Sequence, residues 1–96
     1  MKRIALMAVL TLLLAEQALA SEKCHEALAM TGIAVEAKAA GYDLPSVNKM
    51  LAEYAKRNGK AAQEALPIAT ENAQSQFDDP KVTPEDLGKH TMVQCG

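Results

Sequence analysis

Cys24 and His25 stand side by side near one end of the chain, and His90 and Cys95 stand near the other. Thiolate and imidazole are the preferred ligands of zinc and copper, so a shared Cys–His metal site is the first chemistry to weigh. Neighbouring residues on a helix point about 100° apart, which sets Cys24 and His25 on different faces and argues against a common ion. Met30, Met50 and Met92 form no M-x-M or M-x-x-M cluster. They read as fillers of a helical core rather than as a set of soft ligands, and no cofactor is expected. The chain also lacks G-x-S-x-G, H-E-x-x-H and a phosphate-binding loop. Its carboxylates fall mostly at helix starts and outer faces, a pattern that points away from an enzyme. The histidines leave one alternative, a small-ligand or metal carrier using His25 and His90.

The other chemistry open to two cysteines is with each other. Cys24 and Cys95 lie 71 positions apart and no third cysteine competes. A redox-active pair usually sits close in sequence, as in C-x-x-C, so this pair predicts one structural disulfide. Closing so long a loop removes freedom from the unfolded chain worth about 4 kcal/mol. The bridge requires an oxidising compartment. The first 20 residues, MKRIALMAVLTLLLAEQALA, point to one. Lys2 and Arg3 precede an apolar run from Ile4 to Ala15, and Ala18 and Ala20 supply the small residues of an A-x-A cleavage site. Glu16 stops the run short of the roughly 20 residues of a membrane span. The expectation is a leader over 1–20, cleaved after Ala20, leaving a domain over 21–96 in the periplasm or outside the cell, with no membrane anchor.

That domain holds 32 apolar residues in 76, of which 13 are alanine. Aromatic residues are scarce and tryptophan is absent. The composition excludes a β-sandwich and disorder and favours a small all-α domain. With 8 basic and 11 acidic residues its net charge is −3, which disfavours a nucleic-acid partner. The one basic cluster, Lys49, Lys56, Arg57 and Lys60, is interleaved with Glu53 and Glu64 and reads as a solvated face.

Helix punctuation divides the domain into three or four short helices. Ser21 can cap a first helix ending near Ala40, with Gly41 just beyond it. Asp43 and Pro45 open a second, whose apolar stripe is Leu44, Val47, Met50, Leu51 and Tyr54, and Asn58-Gly59 closes it. Ala62, Leu66, Ala69, Ala73 and Phe77 keep helical spacing across Pro67, which predicts either a kinked helix or a break there. Thr83-Pro84-Glu85-Asp86 opens a last helix over about 84–95, with Leu87, Thr91 and Cys95 on one face. Gly88, near that face, predicts a close approach to the first helix. The first helix is apolar on two sides, with Cys24, Leu28, Thr31 and Val35 on one and Met30, Ile33 and Ala37 on the other. It is therefore expected at the centre of the bundle, and Met30, Ile33 and Ala37 are the candidate surface for a protein partner.

The layout resembles that of small exported two-cysteine all-helical proteins of Gram-negative bacteria, among them periplasmic immunity proteins and stress chaperones. The resemblance rests on the leader, on Cys24 early in the first helix, and on the ending T-P-E-D-L followed by Cys95. The cysteines stand much further apart than in the acid-stress chaperones. The resemblance implies a non-enzymatic interaction protein: an inhibitor, an immunity factor or a chaperone. Protein purified without reductant should show no thiol open to alkylation by intact-mass analysis; two modified cysteines would refute the disulfide.

Overall fold

The computed structural model describes residues 22–95, so the leader over 1–20 and the Ser21 cap lie outside the described residues. The described chain is all-α: four helices make up 85% of it. They are α1 (22–39), α2 (Leu44–Arg57), α3 (Lys60–Asp78) and α4 (Pro84–Cys95). Among the described residues no helix is long and apolar enough to cross a membrane.

Each boundary has a local cause. The α1 helix ends as Tyr42 N–H donates to the Ala37 carbonyl at 3.1 Å and Gly41 N–H to that of Lys38 at 3.0 Å. This paired closure needs a left-handed residue, and Gly41 supplies it at φ +95°. Asp43 caps α2 by accepting from Ser46 N–H at 3.0 Å, with Pro45 in the first turn where no donor is missed. At the other end, Asn58 donates to the Tyr54 carbonyl from both its backbone and its side chain. Thr83 and Asp86 form a reciprocal box at the start of α4: Asp86 N–H donates to the Thr83 hydroxyl, and Thr83 N–H to the Asp86 carboxylate, each at 3.1 Å.

Pro67 neither breaks nor divides α3, which runs as one helix around it. The proline removes the donor that would meet the Gln63 carbonyl, but Pro67 and Gln63 are both exposed, so water can replace the lost bond. The last turn of α3 carries acidic Asp78 and no basic residue, the wrong charge for the negative end of the helix dipole. Lys38 of α1 corrects this from outside. Its ammonium donates to the Gln76 carbonyl at 2.5 Å and lies 5.3 Å from the centre of the Phe77 ring.

The core is built mainly from alanine. Ala27, Ala34, Ala62, Ala65, Ala69 and Ala73 are fully buried, joined by Met30, Val47 and Leu51. Small side chains let helix axes approach closely, yet each buries little area, and transfer free energy scales with area at about 25 cal/mol per Å². Buried positions on α1 form one stripe, Ala27, Met30, Thr31, Ala34 and Ala37, lying between the two faces read from the sequence. The opposite side, with His25, Gly32 and Glu36, is exposed. Both α1 and α3 reach all three other helices, and α3 buries Ile68, Asn72 and Gln76 along with its alanines.

Two expectations are overturned here. Met30 is 0% and Ala37 6% exposed, and Ile33 is half-buried against the core, so these three side chains do not present a binding face. Ala27 and Ala34 form the middle of the buried stripe, which draws Met30 inward. Gly88 marks no close approach either, since a Cβ placed there would meet nothing within 4 Å.

Gly32 and Gly88 are thus mid-helix glycines with open space around them and no left-handed backbone. Gly32→Ala and Gly88→Ala should each raise stability by up to about 1 kcal/mol in urea unfolding. Gly41→Ala, by contrast, should lower it. Loss of stability at either helical site would show that its glycine is needed for packing.

Candidate functional site

The side chains that join the two ends of the chain converge where α1, α3 and α4 meet. Cys24 opens α1 and Cys95 closes α4; their sulfurs are bonded and their Cα atoms lie 5.2 Å apart. One to two turns further on, a polar knot continues the seam. Thr31 of α1 donates its hydroxyl proton to the Ala27 carbonyl at 2.7 Å, and Thr91 of α4 donates to that of Leu87 at 2.6 Å. With their protons committed, both hydroxyl oxygens can only accept. Asn72 of α3 meets both with its amide group, at 3.0 Å to Thr31 and 2.8 Å to Thr91. The acceptors dictate the orientation of the amide, and its carbonyl oxygen is left buried with no partner.

Sequence reasoning placed Thr31 and Thr91 on apolar faces but missed Asn72. A threonine one turn after a potential backbone acceptor can satisfy itself, so it passes for apolar in a helical stripe. Asn72 lies one position from Ala73 in the α3 pattern, and a polar residue at the edge of an alanine stripe normally signals solvent.

The surface beside the seam is more apolar than the seam itself. Leu28, one turn after Cys24, is 39% exposed, and Met92, three residues before Cys95, is 53% exposed. Val93, 77% exposed, lies about 100° further round α4 and faces away from the seam. The disulfide fixes the helix turns that carry Leu28 and Met92 against each other. On the helical wheel Leu28, Gly32 and Val35 continue α1 outward from the seam, and Gly88 and Met92 continue α4 in the same sense.

The two histidines stand in different clefts. His25 lines a cavity of 420 Å³ with Glu22, Glu26, Asn58 and Ala61. There the Tyr54 hydroxyl donates to Glu26 at 2.8 Å, tying α2 to α1. This hydrogen bond, reinforced by burial and by the Glu26 charge, raises the Tyr54 pKa above its ordinary value. His90 lines a 240 Å³ cleft between α3 and α4 with Glu71, Ser75, Asp86 and Leu87, and its Nε2 lies 3.8 Å from the Glu71 carboxylate. The pair read as a shared ligand set therefore does not converge. Both cysteines are consumed by the bridge, and among the described residues no group of three or more His, Cys, Asp and Glu side chains is placed to hold a metal. The basic side chains of Lys49, Lys56, Arg57 and Lys60 are exposed and line none of the seam.

No protein-family model, curated protein or solved structure matches this chain. The class it falls into is therefore defined by its own architecture: an all-α four-helix domain whose first and last helices are joined by a disulfide.

Two measurements follow from this geometry. Asn72→Ala removes two buried hydrogen bonds and leaves a void, and should cost about 2 kcal/mol in urea unfolding. Asn72→Leu fills the volume and removes the stranded carbonyl, so it should cost clearly less. Equal losses would show that the amide's bonds, and not its volume, hold the seam. The second concerns acid. Asp86 is held below its ordinary value of 3.8 by Thr83 N–H, then by the Thr83 hydroxyl, and last by the Lys89 charge. A depressed folded pKa contributes stability above the ordinary carboxylate range, and that contribution is lost as pH falls through the folded value. Protection of amides at the start of α4, taken relative to the intrinsic exchange rate at each pH, should fall below about pH 4, and Asp86→Asn should remove that fall.

Proposed function

We propose that this chain is a small exported, non-enzymatic interaction protein that binds another protein through the α1–α4 surface beside the disulfide. The observation that carries this reading is the exposure of Leu28 and Met92 on the two helix turns that the bridge clasps together. Isolated exposed apolar side chains are common, but a group fixed by a covalent staple is a preorganised patch, and ordering costs subtract from affinity. The reading moves the contact surface from Met30, Ile33 and Ala37, which are withdrawn into the core, to the outer side of the same helix. The leader and the bridge support a periplasmic or extracellular setting, where disulfides persist. Inhibitor, immunity factor and chaperone all fit a rigid helical face of this size.

A photo-crosslinking residue placed at 28 or 92 in the exported protein should capture a discrete partner, and one at exposed Lys49 should not. Leu28→Glu with Met92→Glu should leave helicity and unfolding within about 0.5 kcal/mol of wild type, since both positions are solvated, and should abolish capture. Capture that survives in the folded double variant would refute the assigned surface.

A further inference from the structure

We infer that α4 is a latched arm: the disulfide holds it in place, and thiol reduction releases it from a three-helix unit that remains folded. The continuous apolar core draws its side chains from α1, α2 and α3, and the single contribution from α4 is Cys95 itself. The other buried residues of α4 are Leu87, outside that core, and Thr91, which is polar. Its remaining ties are the burial of Leu87, the 2.8 Å bond from Asn72 to Thr91 and the His90–Glu71 pair, whose side chains are 43% and 60% exposed. An exposed ion pair contributes little. A 12-residue helix containing Gly88 has weak helicity of its own. Apart from Leu87, the bridge is the strongest single tie on α4.

The surface beneath the arm is suited to being uncovered. Release frees Thr31 and Asn72 from Thr91, and the Asn72 carbonyl oxygen, without a protein partner while α4 is closed, gains access to water. Opening thus relieves one desolvated group, set against the exposure of Leu87. The chemical step is thiol–disulfide exchange with a dithiol reductant. A thiolate of the reductant attacks one sulfur of the Cys24–Cys95 bond, its second thiolate resolves the mixed disulfide, and two protons leave both cysteines as thiols. The reductant departs as its own disulfide.

The test is hydrogen exchange by mass spectrometry on the intact folded protein, oxidised and after dithiothreitol, with alkylation confirming that both thiols are free. Reduction should lower protection across Leu87–Cys95 by roughly 100-fold or more. Amides in α1, α2 and α3 should remain protected, and far-UV helicity should fall only by the share of the 12 residues of α4. The double variant Cys24→Ser with Cys95→Ser should reproduce this state without reductant. Two results overturn the inference: protection of α4 that survives reduction, or collapse of protection in all four helices together.

Discussion

A core made largely of alanine lets helices lie close while burying little area per residue, and the rest of this structure answers that shortage. Of the five bulkiest side chains fully withdrawn from solvent, Met30, Leu51, Val47, Asn72 and Thr91, two are polar. The domain thus holds together through a limited apolar cluster, a hydrogen-bonded knot and one covalent bond. The bond acts mainly by restricting the unfolded chain, so it adds stability without requiring buried area. The knot adds direction: two hydroxyls with committed protons and one amide admit a single arrangement at the junction of α1, α3 and α4.

The uneven division of these forces gives the fold two regions. Helices α1 to α3 share the alanine core and are cross-tied by Lys38 on the Gln76 carbonyl and Tyr54 on Glu26. The last helix has a well-formed start at Thr83 and Asp86 but few apolar anchors. Function and mobility are both expected where packing is thinnest, and here that place is also where the side chains of Leu28 and Met92 are exposed.

Features governed by neighbours in sequence were legible from the residues alone. Gly41, Asp43, the Thr83–Asp86 box and the limits of α4 each follow from a few adjacent positions, and the bridge followed from there being two cysteines and no others. Tertiary choices were less visible. Alanine is compatible with either core or surface, so an alanine-rich helix has a low-contrast stripe, and the inward side of α1 was placed too far round toward Leu28 and Val35, which left Met30 and Ala37 outside. Asn72 and Lys38 act on partners 41 and 38 positions away, which no local pattern encodes. The same blindness applies to Gly88, where the open space beside α4 depends on how two distant helices happen to lie. The seam was therefore half legible: its cysteines and threonines were expected on their faces, while the amide that joins them and the apolar rim around them emerged only from the packing.

A ring closed by the only two cysteines of a chain carries a kinetic consequence. Ribosomal synthesis delivers Cys24 early and Cys95 only after the other helices, so oxidation comes at the finish of chain assembly and guides none of the earlier steps. With a single possible intramolecular pairing there is nothing to shuffle, and an isomerase has no scrambled isomer of the monomer to repair. The remaining error is a bond between two molecules, which becomes more frequent as the concentration of newly made chains rises.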